Sequence, residues 1–373
     1  MPIEIKEVSN INELKKFIRF QNHLYRMNAN YVPTFEFDEL NTLRKTKNPA
    51  FDFCEAKYWL AYKDGKLAGR IAGIISHAFI KKWGKKYARF GWVDFIDDYQ
   101  VAEALFKTLE NWAKENGLEA IHGPLGFTDL DKEGLMIEGF NELGSIATIY
   151  NHAYYPEYFE RFGLAKDVDW VQYEIDVPQV IPERIADFAK VIEKKYQLRP
   201  LKVKNSKQLL PYAVKMFNLL NIAYEKLYGV VPLNDKQIKA YTDQYFGFIR
   251  HEFVAFVLDA NDDVAAFAIT IPSLSKAVQK SKGKLFPFGF YHILKALKKN
   301  DTLDLFLIGI NPIYHGKGVN AIIFNELCNA CIHSGITKAI AFPQLEDNKK
   351  VNALWKYFTG RQHIRRRCYV KTI

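Results

Sequence analysis

The sequence has few cysteines and no long apolar run. Four cysteines in 373 residues are too few for a dense disulfide framework, and such low usage is typical of a reducing compartment. No apolar stretch approaches the roughly 18 residues that a membrane-spanning helix needs. The first residues, Met1 to Lys6, lack the charged and then apolar layout of a secretory signal. We therefore expect free thiols and a cytoplasmic protein.

Acidic residues are outnumbered by basic ones. Lys and Arg total 52 and Asp and Glu total 42, so the formal net charge is +10 at pH 7. A positive field attracts nucleic acid, acidic membranes or phosphorylated cofactors, and charge alone does not choose among them. The bases form short clusters, for which a solvated surface is the simplest interpretation. No recognised nucleic-acid-binding motif accompanies them, so we expect no nucleic-acid partner.

The first half of the chain predicts alternating strands and helices. Asp64-Gly65 between two apolar runs predicts a β-hairpin. A strand at 90–96 and a helix at 99–116 follow, and 118–122 is a short strand that Gly123-Pro124 ends. Residues 154–175 then predict a helix, a glycine turn and a final strand. This order describes a complete mixed α/β unit.

The second half repeats that order. Polar residues 259–263 predict a second hairpin, and a strand at 303–310 and a helix at 320–334 follow. A strand at 336–342, which Pro343 should end, and the final helix, glycine and strand at 351–373 complete the pattern. Because a single core rarely grows beyond roughly 250–300 residues, two domains are expected.

We infer two copies of one mixed α/β unit, at 1–177 and 201–373, joined by a mostly helical connector at 178–200. The second copy has an insertion at 273–300 that is rich in lysine, aromatic residues and glycine. Its basic and aromatic part, 282–299, predicts peripheral contact with an acidic membrane or a lipid acyl chain. A lid over an acceptor site explains the same segment equally well.

A glycine-containing loop separates the strand and helix of the second copy, in the sequence IGINPIYHGKGVNAIIFNEL from Ile308 to Leu327. Gly316 and Gly318 allow positive φ angles and bring backbone N–H groups towards an anion at the positive end of the helix. The spacing matches neither the Walker loop nor the G-x-G-x-x-G dinucleotide fingerprint. The loop therefore predicts a phosphate site of another kind.

This loop resembles the acyl-CoA loop of the GNAT acetyltransferases, whose pattern is R/Q-x-x-G-x-G/A after a strand ending in Val-x-Pro. Ile310-Asn311-Pro312 resembles the strand end, His315 replaces Arg or Gln, and Gly318 matches the first small residue. Asn320 replaces the second, and Asn tolerates the left-handed conformation. With NPAFDF, GKLAGRIAGI and GLMIEGF, the chain resembles bacterial double-GNAT proteins of the YghO type. The resemblance implies two GNAT-like units and acetyl-CoA or another acyl-CoA as cofactor.

The resemblance also implies which residues form the site. In the family, backbone N–H groups of the bulged strand hold the thioester oxygen, and the following strand splays away to leave a gap. The implied cofactor-binding residues are Ile308, Ile310, His315, Gly316, Lys317, Gly318, Val319, Asn320 and Asn348. Glu346 is the candidate base and Tyr357 the candidate acid. The alternative for 346–348 is an ordinary polar turn that caps the next helix.

The first copy lacks this loop. Asp97-Asp98 stands where the cradle would need glycines, and two carboxylates there repel a pyrophosphate. We expect one cofactor half, with the first half shaping the acceptor cleft. No metal is predicted, because Cys328 and Cys331 lie within a predicted helix without a second pair of ligands.

The sequence therefore predicts an acyl-CoA-dependent N-acyltransferase that acts on an unknown amine, either a small molecule or a peptide, with acetyl as the expected acyl group. Two alternatives stay open. One is a non-catalytic protein that binds acyl-CoA or another ligand. The other is an aminoacyl transferase of the Fem type.

Overall fold

The computed structural model describes residues 2–181, 183–247 and 249–373. Its strands are β1 (Ile3–Glu7), β2 (Cys54–Lys63), β3 (Lys66–Ser76), β4 (Tyr87–Phe95), β5 (Ala120–Gly123), β6 (Leu135–Glu138), β7 (Ala165–Asp176), β8 (Arg199–Pro200), β9 (Val254–Leu258), β10 (Val264–Pro272), β11 (Thr302–Ile310), β12 (Lys338–Leu345) and β13 (Gly360–Thr372). Its α-helices are α1 (Ile11–Leu24), α2 (Glu36–Leu43), α3 (His77–Trp83), α4 (Tyr99–Glu115), α5 (Tyr155–Arg161), α6 (Glu183–Tyr196), α7 (Leu210–Ala223), α8 (Asp235–Tyr245), α9 (Ser275–Ser281), α10 (Gly289–Lys298), α11 (Asn320–Ser334) and α12 (Lys349–Asn352). Pro182, in the predicted connector, lies outside the described residues.

The chain divides into two compact units that are discontinuous in sequence. Unit 1 consists of Met1–Val171, Leu274–Ile293 and His363–Ile373, and unit 2 of Gln172–Ser273 and Leu294–Gln362. The first part of the predicted insertion and most of the last strand therefore belong to unit 1.

In unit 1 the strand order is β1-β2-β3-β4-β5-β13, with β4 and β5 parallel and the other neighbours antiparallel. Helix α4 covers one face of this sheet, because Val101, Leu105 and Leu109 recur at helical spacing and are fully buried. Helix α1 contributes Phe17 and Ile18 to a second cluster of buried residues. Each such side chain stabilises the fold by roughly 1.5–3 kcal/mol relative to exposure.

In unit 2 the order β8-β9-β10-β11-β12 repeats the arrangement, with β11 and β12 parallel and the remaining neighbours antiparallel. Helix α11 packs Ile322 and Ile323 against β9 and β10, and α6 adds Ala189 and Ile192 to the same core. The prediction of two mixed, mostly antiparallel units is confirmed.

Both predicted hairpins and the helices predicted at 99–116 and 320–334 are present. The helix predicted from 351 is only a short α-helix, Lys349–Asn352, followed by a 3₁₀ helix, and one predicted strand end is wrong. Strand β12 continues through Pro343 to Leu345 instead of ending before the proline. Its described pairing with β11 stops at Ala341, so the missing N–H of Pro343 breaks no bond to that neighbour.

All four cysteines are free and buried, and Cys328 and Cys331 lie within α11 as predicted. Within the described residues, no helix combines the length and the apolarity needed to cross a bilayer.

Candidate functional site

The predicted phosphate loop joins β11 to α11 in unit 2. Gly316 and Gly318 have φ angles of 73° and 79°, the left-handed conformation that the glycines were expected to supply. Helix α11 begins at Asn320, and its N-cap residue, Val319, provides no side-chain hydrogen bond to the first turn. Among the described residues, no partner bonds to the N–H groups of Gly318, Val319 and Asn320. These donors and the helix dipole form an anion-binding arrangement.

Helix α6 fixes the shape of the loop. A Cβ on Gly318 would lie 2.7 Å from the ring of Phe188, so any other residue would displace this ring and would also have to adopt a positive φ. The Lys317 ammonium lies 5.2 Å from the centroid of the Tyr196 ring, a cation–π distance. His315 turns back to its own strand, with Nε2 3.1 Å from the Ile310 carbonyl oxygen. The loop therefore presents backbone rather than side chains to a ligand.

Strand β11 has the bulge and the splay that the resemblance implied. Ile269 lies opposite Leu307 and Thr270 opposite Leu305, so Phe306 is the extra residue. The described parallel pairing with β12 ends at Leu305 and Ala341, although both strands continue. Ile308 and Ile310, near the end of β11, thus lie beyond the last described pair of β11 with β12. Their backbone groups that face β12 take no part in the described pairing of these two strands.

Tyr224 is a site residue that the sequence analysis missed. Its hydroxyl donates to the Ile308 carbonyl oxygen at 3.1 Å, which fixes this carbonyl within the bulged strand. The missed signal is a repeat of equal spacing, NHLYRMNANYVP from Asn22 and NIAYEKLYGVVP from Asn221. In both copies the tyrosine is three residues after the asparagine.

The two asparagines of this repeat do the same structural work. The Asn22 side chain donates to Thr34 O at 3.1 Å and accepts from Thr34 N at 3.1 Å. The Asn221 side chain bonds in the same way to Leu233, at 2.9 and 2.8 Å. Each asparagine thus lies near the end of a helix and closes the loop that follows this helix by bonding to a residue twelve positions later.

The predicted acid–base residues lie after β12. Glu346 is exposed and lies in a turn, and its backbone carbonyl accepts from Asn352 Nδ2 at 3.1 Å. Asn348 is the N-cap of α12, and its side-chain oxygen accepts from Val351 N at 3.3 Å. Tyr357 is 74% exposed at the end of a 3₁₀ helix, Ala353–Tyr357. Asn348 therefore has a capping role, while the two candidate catalytic side chains face solvent.

Unit 1 differs from unit 2 where α4 begins. Asp98 caps α4 through a 3.0 Å bond from Gln100 N, and its carboxylate is also paired with the Lys63 ammonium. Asp97 accepts from the Tyr158 hydroxyl at 2.7 Å. The positive end of this helix is therefore neutralised by the chain itself, whereas that of α11 has no side-chain cap.

A second difference lies within the strands that precede these helices. In unit 1, Arg70 on β3 lies opposite Asp94 on β4, and the two form a fully buried ion pair of 2.6 Å. In unit 2 the corresponding pair is Phe267 opposite Gly309, where the phenylalanine ring occupies the space that a glycine Cβ would need. Tyr25 also donates to Asp94, at 2.8 Å. This pair of strand positions thus holds two charged side chains in unit 1, whereas in unit 2 it holds a glycine and a phenylalanine ring.

The strand order and its repetition in the two units define the fold of the chain. The chain has the tandem GNAT fold, in which two units built on the GCN5-related N-acetyltransferase plan follow each other. A tandem GNAT protein from the clavulanic acid biosynthesis pathway matches it with a TM-score of 0.56 and 12% identity, covering 100% of this chain and 98% of that one. No family model matches the sequence.

Two proteins of known sequence are similar to the chain. Protein YghO of Escherichia coli K12 is 26% identical over 99% of this chain and 95% of its own length. A protein named bacterial ceramide synthase, from Caulobacter vibrioides, is 25% identical over 77% of this chain and 74% of its own length.

Proposed function

We propose that the chain is an acyl-CoA-dependent N-acyltransferase in which unit 2 holds the acyl-CoA. The observation that carries this proposal is the contrast between two equivalent helices. Helix α11 has free N–H groups behind two glycines of positive φ, whereas α4 is capped by Asp98. A pyrophosphate fits the first N-terminus and is repelled from the second.

The residues of unit 2 have distinct roles in this proposal. Backbone N–H groups of Gly316, Gly318, Val319 and Asn320 bind the pyrophosphate. The Lys317 N–H donates to the Tyr314 carbonyl oxygen at 3.1 Å and so helps to shape the loop between them. Backbone groups from Ile308 to Ile310 bind the acyl arm and stabilise the oxyanion, with Tyr224 fixing the Ile308 carbonyl. His315 holds the loop to the strand. The Asn348 amide nitrogen, left over from the capping bond, is a donor for the cofactor.

The reaction needs an uncharged amine and a proton for the departing thiolate. Glu346 takes a proton from the acceptor ammonium, directly or through a water. The amine then attacks the thioester carbonyl, the C–S bond breaks as the C–N bond forms, and Tyr357 protonates the sulfur. The surplus proton on the new amide nitrogen leaves to solvent.

The acceptor is an amine, and a long-chain amine should be tested first. A ceramide is the amide of a long-chain amino alcohol, and one of the two similar proteins is named a ceramide synthase. An amine panel should therefore contain polyamines, peptides and long-chain amino alcohols. The acyl panel should run from acetyl-CoA to long-chain acyl-CoA.

Calorimetry with coenzyme A tests the cofactor half. We expect one site per chain and a strong loss of affinity in Gly318→Asp. The matched control is Gly318→Asn, which has the same shape and backbone strain but no charge, so the difference between the two variants isolates repulsion of the pyrophosphate. Two sites per chain, or equal affinities for the Asp and Asn variants, would overturn the assignment of one cofactor half.

Thiol release from acyl-CoA tests catalysis. Amine-dependent release is expected for an N-acyltransferase. Coenzyme A binding without release across both panels would instead support a non-catalytic binding protein. A requirement for aminoacyl-tRNA would support the Fem-type alternative.

A further inference from the structure

Exposed aromatic side chains are concentrated in one segment of unit 1. Phe286, Phe288, Phe290 and Tyr291 are 78%, 72%, 47% and 58% exposed, and we name these four residues the aromatic tip. Single exposed apolar residues are ordinary, but four within six positions form a patch. Such patches mark binding surfaces, so the segment needs a partner that accepts aromatic rings.

Three lysines precede the aromatic tip in a stretch of sequence without acidic residues. Lys280, Lys282 and Lys284, named here the lysine group, are exposed, and none makes an ion pair with another described residue. Between Asp263 and Asp301 the sequence has no Asp or Glu at all. Elsewhere many surface lysines are paired with carboxylates, as Lys57 is with Glu7. The segment therefore has unbalanced positive charge beside apolar rings.

The base of the segment is fixed to the body of unit 1. The Gln279 side chain donates to Ala29 O at 2.8 Å and to Tyr31 O at 2.9 Å. Gly283 packs so closely on Thr34 that a Cβ would lie 2.6 Å from its carbonyl oxygen. Val278, next to Gln279 in α9, is fully buried. The aromatic tip thus follows an anchored helix, α9, while its own four side chains are exposed.

Helix α10 also has exposed apolar side chains and exposed lysines. The part of this helix that belongs to unit 2 contains Leu294, which is 60% exposed, and the exposed Lys295 and Lys298. A short helix with exposed aromatic and aliphatic side chains and lysines at its margins is typical of an element that lies in a membrane interface. Rings enter the headgroup layer while lysines attract anionic lipid.

We infer that the aromatic tip and the lysine group bind the surface of an anionic lipid bilayer. The charge decides the occupant: a neutral protein groove would bury the rings but leave unpaired lysines, whereas anionic headgroups satisfy both. The inference goes beyond the proposed function and does not depend on it, since bilayer binding is measurable without acyl transfer.

Vesicle flotation of the full chain tests the inference. Binding is expected to phosphatidylcholine vesicles that contain phosphatidylglycerol, to weaken as salt rises, and to be slight without the anionic lipid. The double variant Phe286→Ser/Phe288→Ser should lose about tenfold or more in affinity, because two exposed rings no longer enter the interface. Ile11→Ser, at an exposed position of unit 1 where α1 begins, is the control and should bind as the unaltered protein does.

A label at the tip distinguishes insertion from adhesion. All four native cysteines are buried, so Phe288→Cys and the control Ile11→Cys can each be labelled with an environment-sensitive dye. The native Ile11 is 45% exposed and begins α1, at the end of that helix away from Ala29. Only the dye at 288 should shift to shorter wavelength on anionic vesicles. Absence of vesicle binding at low salt, equal shifts at both positions, or a dimer that the Phe286→Ser/Phe288→Ser variant dissociates would each overturn the inference.

Discussion

Glu346 is the residue on which the proposed acid–base chemistry depends. The residue is exposed in the turn after β12, where an acceptor amine and water can approach it. Glu346→Gln should lower kcat by roughly 10²–10⁴, the usual range for loss of a general base. The measurement is a pH–rate profile with an identified acceptor. Asp347→Asn, in the same turn, is the matched control and should leave kcat within a small factor.

The capping alternative makes a different forecast for the same variant. If residues 346–348 only begin α12, for which Asn348 supplies the capping oxygen, Glu346→Gln leaves turnover nearly unchanged. Retention of the rate increase towards high pH in Glu346→Gln would contradict the role of base. Water or another group would then deprotonate the amine.

Asp304 makes stability depend on pH. Burial in β11 raises the pKa of this carboxyl from 3.8 to about 7, and the hydrogen bond with Ser273 only partly opposes the rise. Between these values the folded state binds more protons than the unfolded state, so the free energy of unfolding falls as pH rises. Asp304→Asn removes the penalty and should raise the melting temperature more at pH 8 than at pH 4.

Thermal melting across that pH range measures the effect. The variant Asp347→Asn, at an exposed position, provides the control. Parallel melting curves against pH for the unaltered protein and Asp304→Asn would contradict the assignment.

A substitution at Asn320 should increase the affinity of the loop for coenzyme A. A left-handed Asn320 was compatible with the sequence, but the residue is the first of α11 and has no positive φ. Gly316 and Gly318 supply the positive φ angles instead. Its side chain thus adds bulk beside the proposed pyrophosphate without helping the turn. Asn320→Gly should bind coenzyme A a few-fold more tightly in calorimetry. Weaker binding would mean that the Asn320 side chain is itself a ligand.

At the scale of elements, the N-terminus of α4 should affect stability and not cofactor binding. Although burial raises it, the Lys63 ammonium and the Gln100 N–H together hold the pKa of Asp98 below its usual value. The cap therefore stabilises the folded state fully at pH values above the usual pKa of an aspartate, and this stabilisation is lost in strong acid. Asp98→Ala should cost about 1 kcal/mol of unfolding free energy, as the loss of an N-cap does.

Chemical denaturation at neutral pH measures this loss, and calorimetry of the same variant should show coenzyme A affinity unchanged. Asn10→Ala, which removes the cap of α1, is the control for cap loss away from both helices. A change in coenzyme A affinity for Asp98→Ala alone would mean that unit 1 takes part in binding the cofactor.

At the scale of the whole molecule, coenzyme A should protect one unit selectively. Hydrogen exchange should slow in the loop and first turns of α11, because a bound pyrophosphate accepts from N–H groups that no described residue accepts from. The equivalent stretch, from Ile96 to Val101, should exchange at the same rate with or without ligand. Protection of both stretches would contradict a single cofactor half.

Local sequence determined the order of elements in both units. Asp64-Gly65 turns the first hairpin because these residues accept positive φ, and α11 runs over the predicted 320–334 because its apolar spacing and closing Gly335 are contiguous. The sequence also predicts that unit 1 lacks a glycine loop, because Asp97-Asp98 stands at the start of α4. This could be read locally, since an N-cap depends only on the residues beside it.

Long-range contacts decided what the pattern left open. The bond from Tyr224 to Ile308 spans 84 positions, and that from Gln279 to Ala29 spans 250. The same holds for the pairing of Arg70 with Asp94 and of Phe267 with Gly309, which depends on strand register. Periodicity and capping are set by neighbours within a few residues, so the sequence by itself determines them. Which distant side chain completes a strand, a bulge or a buried charge is set only when the chain packs, and the tertiary structure alone decides it.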